Sequence, residues 1–139
     1  MIFILFIFIL YFIFVLWLIQ GLKNLDKVEN NYNTNIFISV VIAIKNESKN
    51  LVYLLDALNN QSLSKNKFEI IFIDNESNDD SLKILKKYKK KIENLNYYSS
   101  GKVLINWDKK IFSLSKGIEL SRGNIILHTD GDCIPNKNW

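Results

Sequence analysis

The chain has 139 residues, 48% of them hydrophobic, a formal net charge of +4 and one cysteine. That length suffices for one domain of modest size, and the lone Cys133 excludes an internal disulfide, in keeping with a reducing compartment. Lysines crowd residues 83–91 with one aromatic, Tyr88, among them, too few for a base-stacking surface, so nucleic acid is not an expected partner.

Met1 to Ile19 contains no charge, glycine, proline or side-chain amide. As a helix these residues rise roughly 28 Å, near the hydrocarbon thickness of a bilayer. A cleaved signal peptide would want basic residues before the apolar stretch and small residues after it. Nothing basic precedes the stretch, and Ile19-Gln20-Gly21-Leu22 makes a poor cleavage site. Residues 1–19 therefore read as a single transmembrane helix. Lys23 and Lys27 follow it, so the positive-inside rule places the remainder in the cytoplasm. Residues 20–35 are polar and asparagine-rich and read as a linker.

From Ile36 onward strand and helix patterns alternate. Ile36 to Ile44 is almost entirely apolar and β-branched, as suits a strand covered on both faces. Leu51, Leu54, Leu55 and Leu58 recur at i, i+3, i+4 and i+7, the spacing of an amphipathic helix. Phe68 to Ile73 reads as a second strand. Ser77 or Asn78 is placed to cap a following helix, with Asp79 and Asp80 in its first turn and Leu82, Leu85 and Tyr88 on its buried face. A short strand follows at Asn96 to Ser99. A third helix spans Phe112 to Ser121, presents Leu114 and Ile118, and stops at Gly123. Asn124 to Thr129 reads as a buried last strand. The fold class is α/β, a mostly parallel sheet with flanking helices.

In such sheets ligands bind beyond the carboxyl ends of the strands, at the switch in strand order. Polar clusters stand at three of those ends: Lys45-Asn46-Glu47, Asp74-Asn75-Glu76-Ser77 and Asp130-Gly131-Asp132. Two carboxylates flanking one residue at a strand end can converge on one hard cation. Mg²⁺ in particular takes oxygen ligands and is often held by one or two carboxylates plus substrate phosphates.

Together the stretches Ile38 to Glu47, Phe68 to Ser81, Lys116 to Cys133 and Pro135 to Trp139 resemble a family 2 glycosyltransferase with the GT-A fold. They stand in family order and near family spacing, over Ile36 to Trp139. The resemblance implies a nucleotide-binding α/β half, a UDP- or GDP-sugar donor, a glycan or lipid-linked acceptor, Mg²⁺ or Mn²⁺, and inversion at the anomeric carbon. It implies that Asp132 coordinates the metal and that Asp130 contacts the ribose or the metal's water shell. By the same resemblance Asp74 or its neighbour Asn75 bonds the base, Asn46 and Glu47 line the nucleotide cleft, and Lys110 approaches the phosphates. Asn75 departs from the family's paired acids, Lys109 from a common glycine and Ser115 from a common asparagine. The family's catalytic base is an acid in the second half of the domain. It is expected beyond Trp139, which makes 36–139 a domain incomplete at its C-terminus.

Simpler readings exist for several of these residues. His128 suits a strand histidine, Cys133 a small packed residue, and Asp79 and Asp80 a helix start. The lysines of 83–91 read first as a solvated helix face and second as a contact for anionic lipid. For the whole chain the alternative to an enzyme is an inactive fragment or a membrane-tethered nucleotide-binding module. A phosphatase with an Asp-x-Asp nucleophile fits worse, because its pair normally opens the domain.

Overall fold

The computed structural model describes residues 2–25, 35–102 and 107–139. Two compact units result, one up to Thr34 and one from Asn35 to Trp139. Among its described residues the first contains one helix, α1 (Ile2–Leu25), which runs six residues past Ile19 into the stretch expected to be linker. Its segment Phe3–Lys23 has a mean hydropathy of 2.8, long and apolar enough to cross a bilayer. The rest of the expected linker, 26–34, lies outside the described residues.

The second unit alternates strand and helix: β1 (Ile38–Ile44), α2 (Leu51–Asn59), a 3₁₀ turn at Lys65–Lys67, β2 (Phe68–Asp74), α3 (Ser81–Lys89), β3 (Leu95–Ser99), α4 (Lys109–Glu119) and β4 (Ile125–His128). The four strands form one parallel sheet in the order β3-β2-β1-β4. The expected α/β class is therefore observed. Chain order reverses at β1, where β2 lies on one side and β4 on the other.

Side-chain alternation divides the sheet into two faces. Val40, Ile42, Ile44, Ile70 and Phe72 pack with Leu51, Leu54, Leu55 and Leu58 of α2 and Leu85 of α3 in one core. The opposite face receives α4, where Gly117 lies against Val41 and Ile73. Ser113 and Gly117 are the buried residues of α4, whereas Ile118 is half-exposed. The helix is thus turned from the orientation its leucine and isoleucine suggest. Small residues face the sheet because backbone and sheet approach closely there.

Other boundaries shift as well. The helix expected to start at Ser77 or Asn78 begins at Ser81, so Asp79 and Asp80 precede its first turn, and Leu82 is exposed. α4 starts three residues earlier than expected, capped by Asp108, whose Oδ1 accepts from the amides of Lys110 and Ile111 at 2.9 and 3.0 Å. It ends at Glu119, with Leu120 as C-cap. The last strand, expected to be buried, is an edge strand whose Ile125, Ile126 and His128 are exposed.

Gly123 serves a close approach instead of a helix stop. A Cβ there would stand 2.5 Å from the Ser39 backbone nitrogen and 2.7 Å from Ser39 Oγ. Its amide donates to Ser39 Oγ at 2.9 Å, and that hydroxyl donates to buried Glu69 Oε1 at 2.8 Å. Glu69 also accepts from Arg122 through the backbone amide, Nε and Nη2, at 2.8 to 3.1 Å. Burial alone would push the Glu69 carboxyl up. The bonds from Arg122 and Ser39 outweigh it and hold the group below its usual value.

Ala at an exposed helix position is worth about 1 kcal/mol over Gly. At Gly117 the sign reverses, because an added Cβ collides with Val41 Cγ1 and comes within 3.2 Å of Ile73 Cγ1. Gly117→Ala is expected to destabilise the domain by about 1–3 kcal/mol, read as a lower urea midpoint at unchanged slope.

Candidate active site

The carboxyl ends of β1, β2 and β4 open into a cleft of about 400 Å³. β1 supplies Ala43 and Ile44, followed by Lys45 and Glu47. Asn75 comes from the end of β2, Asp108, Lys109 and Lys110 from the start of α4, and Asp130, Gly131 and Asp132 from the turn after β4. The cleft lies at the switch in strand order, where an open α/β sheet binds its ligands.

Its floor is polar but buried. Asp74 closes β2 opposite Ile44, and the Asn75 amide continues the pairing by donating to the Ile44 carbonyl at 2.9 Å. Asp74 Oδ2 accepts from the Ser77 amide at 3.2 Å. Its other oxygen, Oδ1, and the side-chain oxygen of Asn75 are buried without a partner. An unpaired buried acceptor costs about 1–3 kcal/mol, so two at one strand end mark a place where a donor is wanted.

The β1–α2 and β2–α3 loops are clasped together. Asn46 takes a positive φ of 58°, a conformation asparagine tolerates, and Glu76 on the facing loop takes 54°. The Asn46 amide donates to Ser77 Oγ at 2.9 Å, while its side-chain oxygen accepts from the Asn78 amide at 2.8 Å. The Glu47 amide donates to Ser81 Oγ at 3.0 Å. Asp79 accepts from the Ser48 amide at 2.9 Å and the Ser81 amide at 3.0 Å. Burial raises the Asp79 carboxyl, but these bonds prevail and hold it far below the usual carboxylate range.

The acidic turn packs directly on this clasp. A Cβ on Gly131 would lie 2.9 Å from Glu47 Cγ and 3.0 Å from Ile44 Cγ2. Only a residue without a side chain brings Asp130 and Asp132 so close to the end of β1. The turn is closed by the Cys133 amide donating to the Asp130 carbonyl at 3.3 Å. Lys110 Nζ lies 2.7 Å from Asp130 Oδ1, and His128 Nε2 lies 3.9 Å from the same oxygen. The Lys110 bond holds Asp130 below its usual value against burial, and Asp130 raises Lys110 in return. Asp132 is exposed at the rim.

Of the residues singled out from the sequence, Glu47, Asn75, Lys110, Asp130 and Asp132 thus line one cleft. Asp74 is buried beside Asn75 at its floor. Asn46 is placed in the clasp and does not line the cleft. Asp108 and Lys109 are additions to the lining. Asp108 carried a readable signal, an aspartate just before a helical pattern. The clasping role of Asp79 carried none, since its partner Ser48 is 31 positions away.

Residues 39–139 match the family described as Glycosyl transferase family 2. The chain belongs to this family. Glycosyltransferase AglE of Haloferax volcanii is 32% identical over 105 residues, which cover 74% of this chain and 33% of that protein. S. aureus TarS 1–349 in complex with UDP-GlcNAc superposes with a TM-score of 0.64 at 27% identity, over 73% of this chain and 28% of that one. A mannosyltransferase from Pyrobaculum calidifontis, in complex with GDP-Man and Mn²⁺, shares the fold with a TM-score of 0.62 at 18% identity, over 85% of this chain and 34% of that one. The chain spans a third or less of the length of the curated relatives it matches. The GT-A-type sheet and family 2 membership expected from the sequence are both found.

Two outcomes follow from the electrostatics. A carboxyl lowered on folding stabilises the protein above its unfolded value, and that contribution is lost as pH falls. The stability gap between the native chain and Asp79→Asn is therefore expected to be widest near neutrality. It should shrink as urea midpoints are followed down through about pH 4. Lys110→Met is expected to raise the Asp130 carboxyl towards its ordinary value of about 3.9 in a carboxyl ¹³C NMR titration; an unmoved titration would show that the ion pair does not hold it.

Proposed function

We propose that the chain carries the donor-binding part of a membrane-anchored glycosyltransferase. It takes a sugar from a UDP- or GDP-sugar and passes it, with inversion, to a glycan or lipid-linked acceptor, a reaction of polysaccharide biosynthesis. The observation that carries this reading is the convergence of three strand-end clusters on one cleft at the sheet's switch point. TarS bound to UDP-GlcNAc and the Pyrobaculum enzyme bound to GDP-Man support the donor class.

The residues divide the donor between them. Asp74 Oδ1 and the Asn75 side-chain oxygen, both buried and unpartnered, accept from the N–H groups of the base. Lys110 stands at the start of α4, beside the acidic turn, where its ammonium can meet a diphosphate oxygen. Glu47 supports the turn from below through its contact at Gly131.

Among the described residues no group of three or more His, Cys, Asp or Glu could hold a metal by itself. The donor set nevertheless suits Mg²⁺ or Mn²⁺. Asp130 and Asp132 are hard oxygen donors flanking one glycine, and such ions commonly complete their shells with substrate phosphates and water. Asp132 is assigned as the principal ligand, because Asp130 is shared with Lys110. Bound there, the ion supplies charge neutralisation for the departing diphosphate. The acid that takes the acceptor's proton is assigned to the part of the family fold that follows the matched stretch.

α1 is assigned as the anchor, with the folded unit on the cytoplasmic side, where Lys23 ends the apolar segment. Asp132→Ala is expected to abolish Mn²⁺-dependent binding of a sugar nucleotide in calorimetry, and unchanged metal-dependent affinity would sink the metal role. Asp74→Ala should weaken UDP or GDP about tenfold or more with or without metal, the cost of losing a hydrogen bond to a charged acceptor.

A further inference from the structure

The lysines of α3 are not used by the cleft. Lys83, Lys86, Lys87 and Lys90 recur at i, i+3, i+4 and i+7, which places them on one helix face. The opposite face is the packed one: Ser81 and Leu85 are buried, and Ile84 and Tyr88 pack against the core. All four lysines are exposed. The remaining two cations of the segment are engaged locally. Lys89 donates to the Glu93 carbonyl and to Asn96 Oδ1, and Lys91 lies 5.6 Å over the Tyr88 ring. Within the stripe Lys83 pairs with Asp80 at 2.7 Å. Among the described residues no carboxylate pairs with Lys86, Lys87 or Lys90.

Like charges four residues apart destabilise a helix, and this face holds two such pairs, Lys83–Lys87 and Lys86–Lys90. Asp80 relieves Lys83 alone, and the carboxyl end of the helix favours the last-turn lysines only modestly; an anionic surface would offset the rest. The same chain carries a helix able to span a bilayer, and only nine residues of sequence, 26–34, separate it from the folded unit. Anionic lipids concentrate in the cytoplasmic leaflet and attract lysines that lie within a Debye length.

We propose that the Lys83–Lys86–Lys87–Lys90 face of α3 docks on the anionic headgroups of the membrane that α1 spans. The proposal rests on the anchor assignment and is independent of donor chemistry.

The test uses the full chain reconstituted in phosphatidylcholine vesicles with and without phosphatidylserine. Amine acylation is read residue by residue by mass spectrometry, with Lys137 as reference. At low salt, acylation of Lys86, Lys87 and Lys90 is expected to slow by about fivefold or more when phosphatidylserine is present, the effect of one lysine near an anionic surface. High salt should remove the protection. Equal rates in the two vesicles would overturn the docking. So would equal protection by a single-stranded oligonucleotide added to phosphatidylcholine vesicles, which would mark a nucleic-acid surface. Flotation with phosphatidylcholine vesicles reads the anchor separately. A chain that does not float overturns the anchor and the docking together; one that floats without lipid-dependent protection overturns the docking alone. Sugar transfer enters none of these readouts.

Discussion

The buried carboxylate of Glu69 sets the frame for everything at the other end of the sheet. β1 and β2 pair over seven positions, five of them apolar on both strands. Apolar pairs alone distinguish poorly between one register and the next. Ser39 opposite Glu69 removes that indifference, because a slip of one residue would take Ser39 from the carboxylate. Stripping a buried charge of its partners costs about 3–5 kcal/mol. The same carboxylate grips Arg122 and so secures the connection that leads into β4. One acid at the amino ends of the strands thereby fixes the level at which β1, β2 and β4 run out.

At that level the cleft is an electrostatic balance. Asp130 is held low by Lys110, and Asp132 beside it adds further negative charge. The whole lining sets Lys45, Lys109 and Lys110 against Glu47, Asp108, Asp130 and Asp132, three cations against four carboxylates. The two unpartnered oxygens at the end of β2 raise the ground-state energy of the empty cleft in the same sense. Both features are costs that the proposed donor would relieve.

Elements with a local signature were legible in the sequence. The leucines of α2 and the largely apolar run of β2 were placed within a residue or so, since periodicity and β-branching act over a few positions. The three polar clusters were legible for the same reason: each directly follows a strand. What escaped depends on contacts between distant segments. Asp79 looks like a first-turn acid but reaches across to Ser48. Ile125 and Ile126 have the composition of a buried strand and lie on an edge. In α4 the large apolar side chains suggested the packed face, whereas Ser113 and Gly117 provide it, because helix and sheet lie too close for anything larger. Asn46 was assigned to the cleft from its position in a motif, but its amide is consumed in joining two loops.

The order β3-β2-β1-β4 also has a kinetic side. β1, β2 and β3 pair with neighbours in sequence, but β4 must return to the far edge of β1, where Phe37 bonds Asn124 across 87 positions. Closing so large a loop costs more entropy than the nearer pairings, and it is repaid by the four positions β4 shares with β1 and by the bonds of Arg122 and Gly123 to Glu69 and Ser39. Until that closure is made, Asp130 and Asp132 have no place beside Glu47 and Lys110. During synthesis the buried floor at the end of β2 can therefore exist while the acidic turn is still unattached, and the cleft is completed by the most distant contact in the sheet.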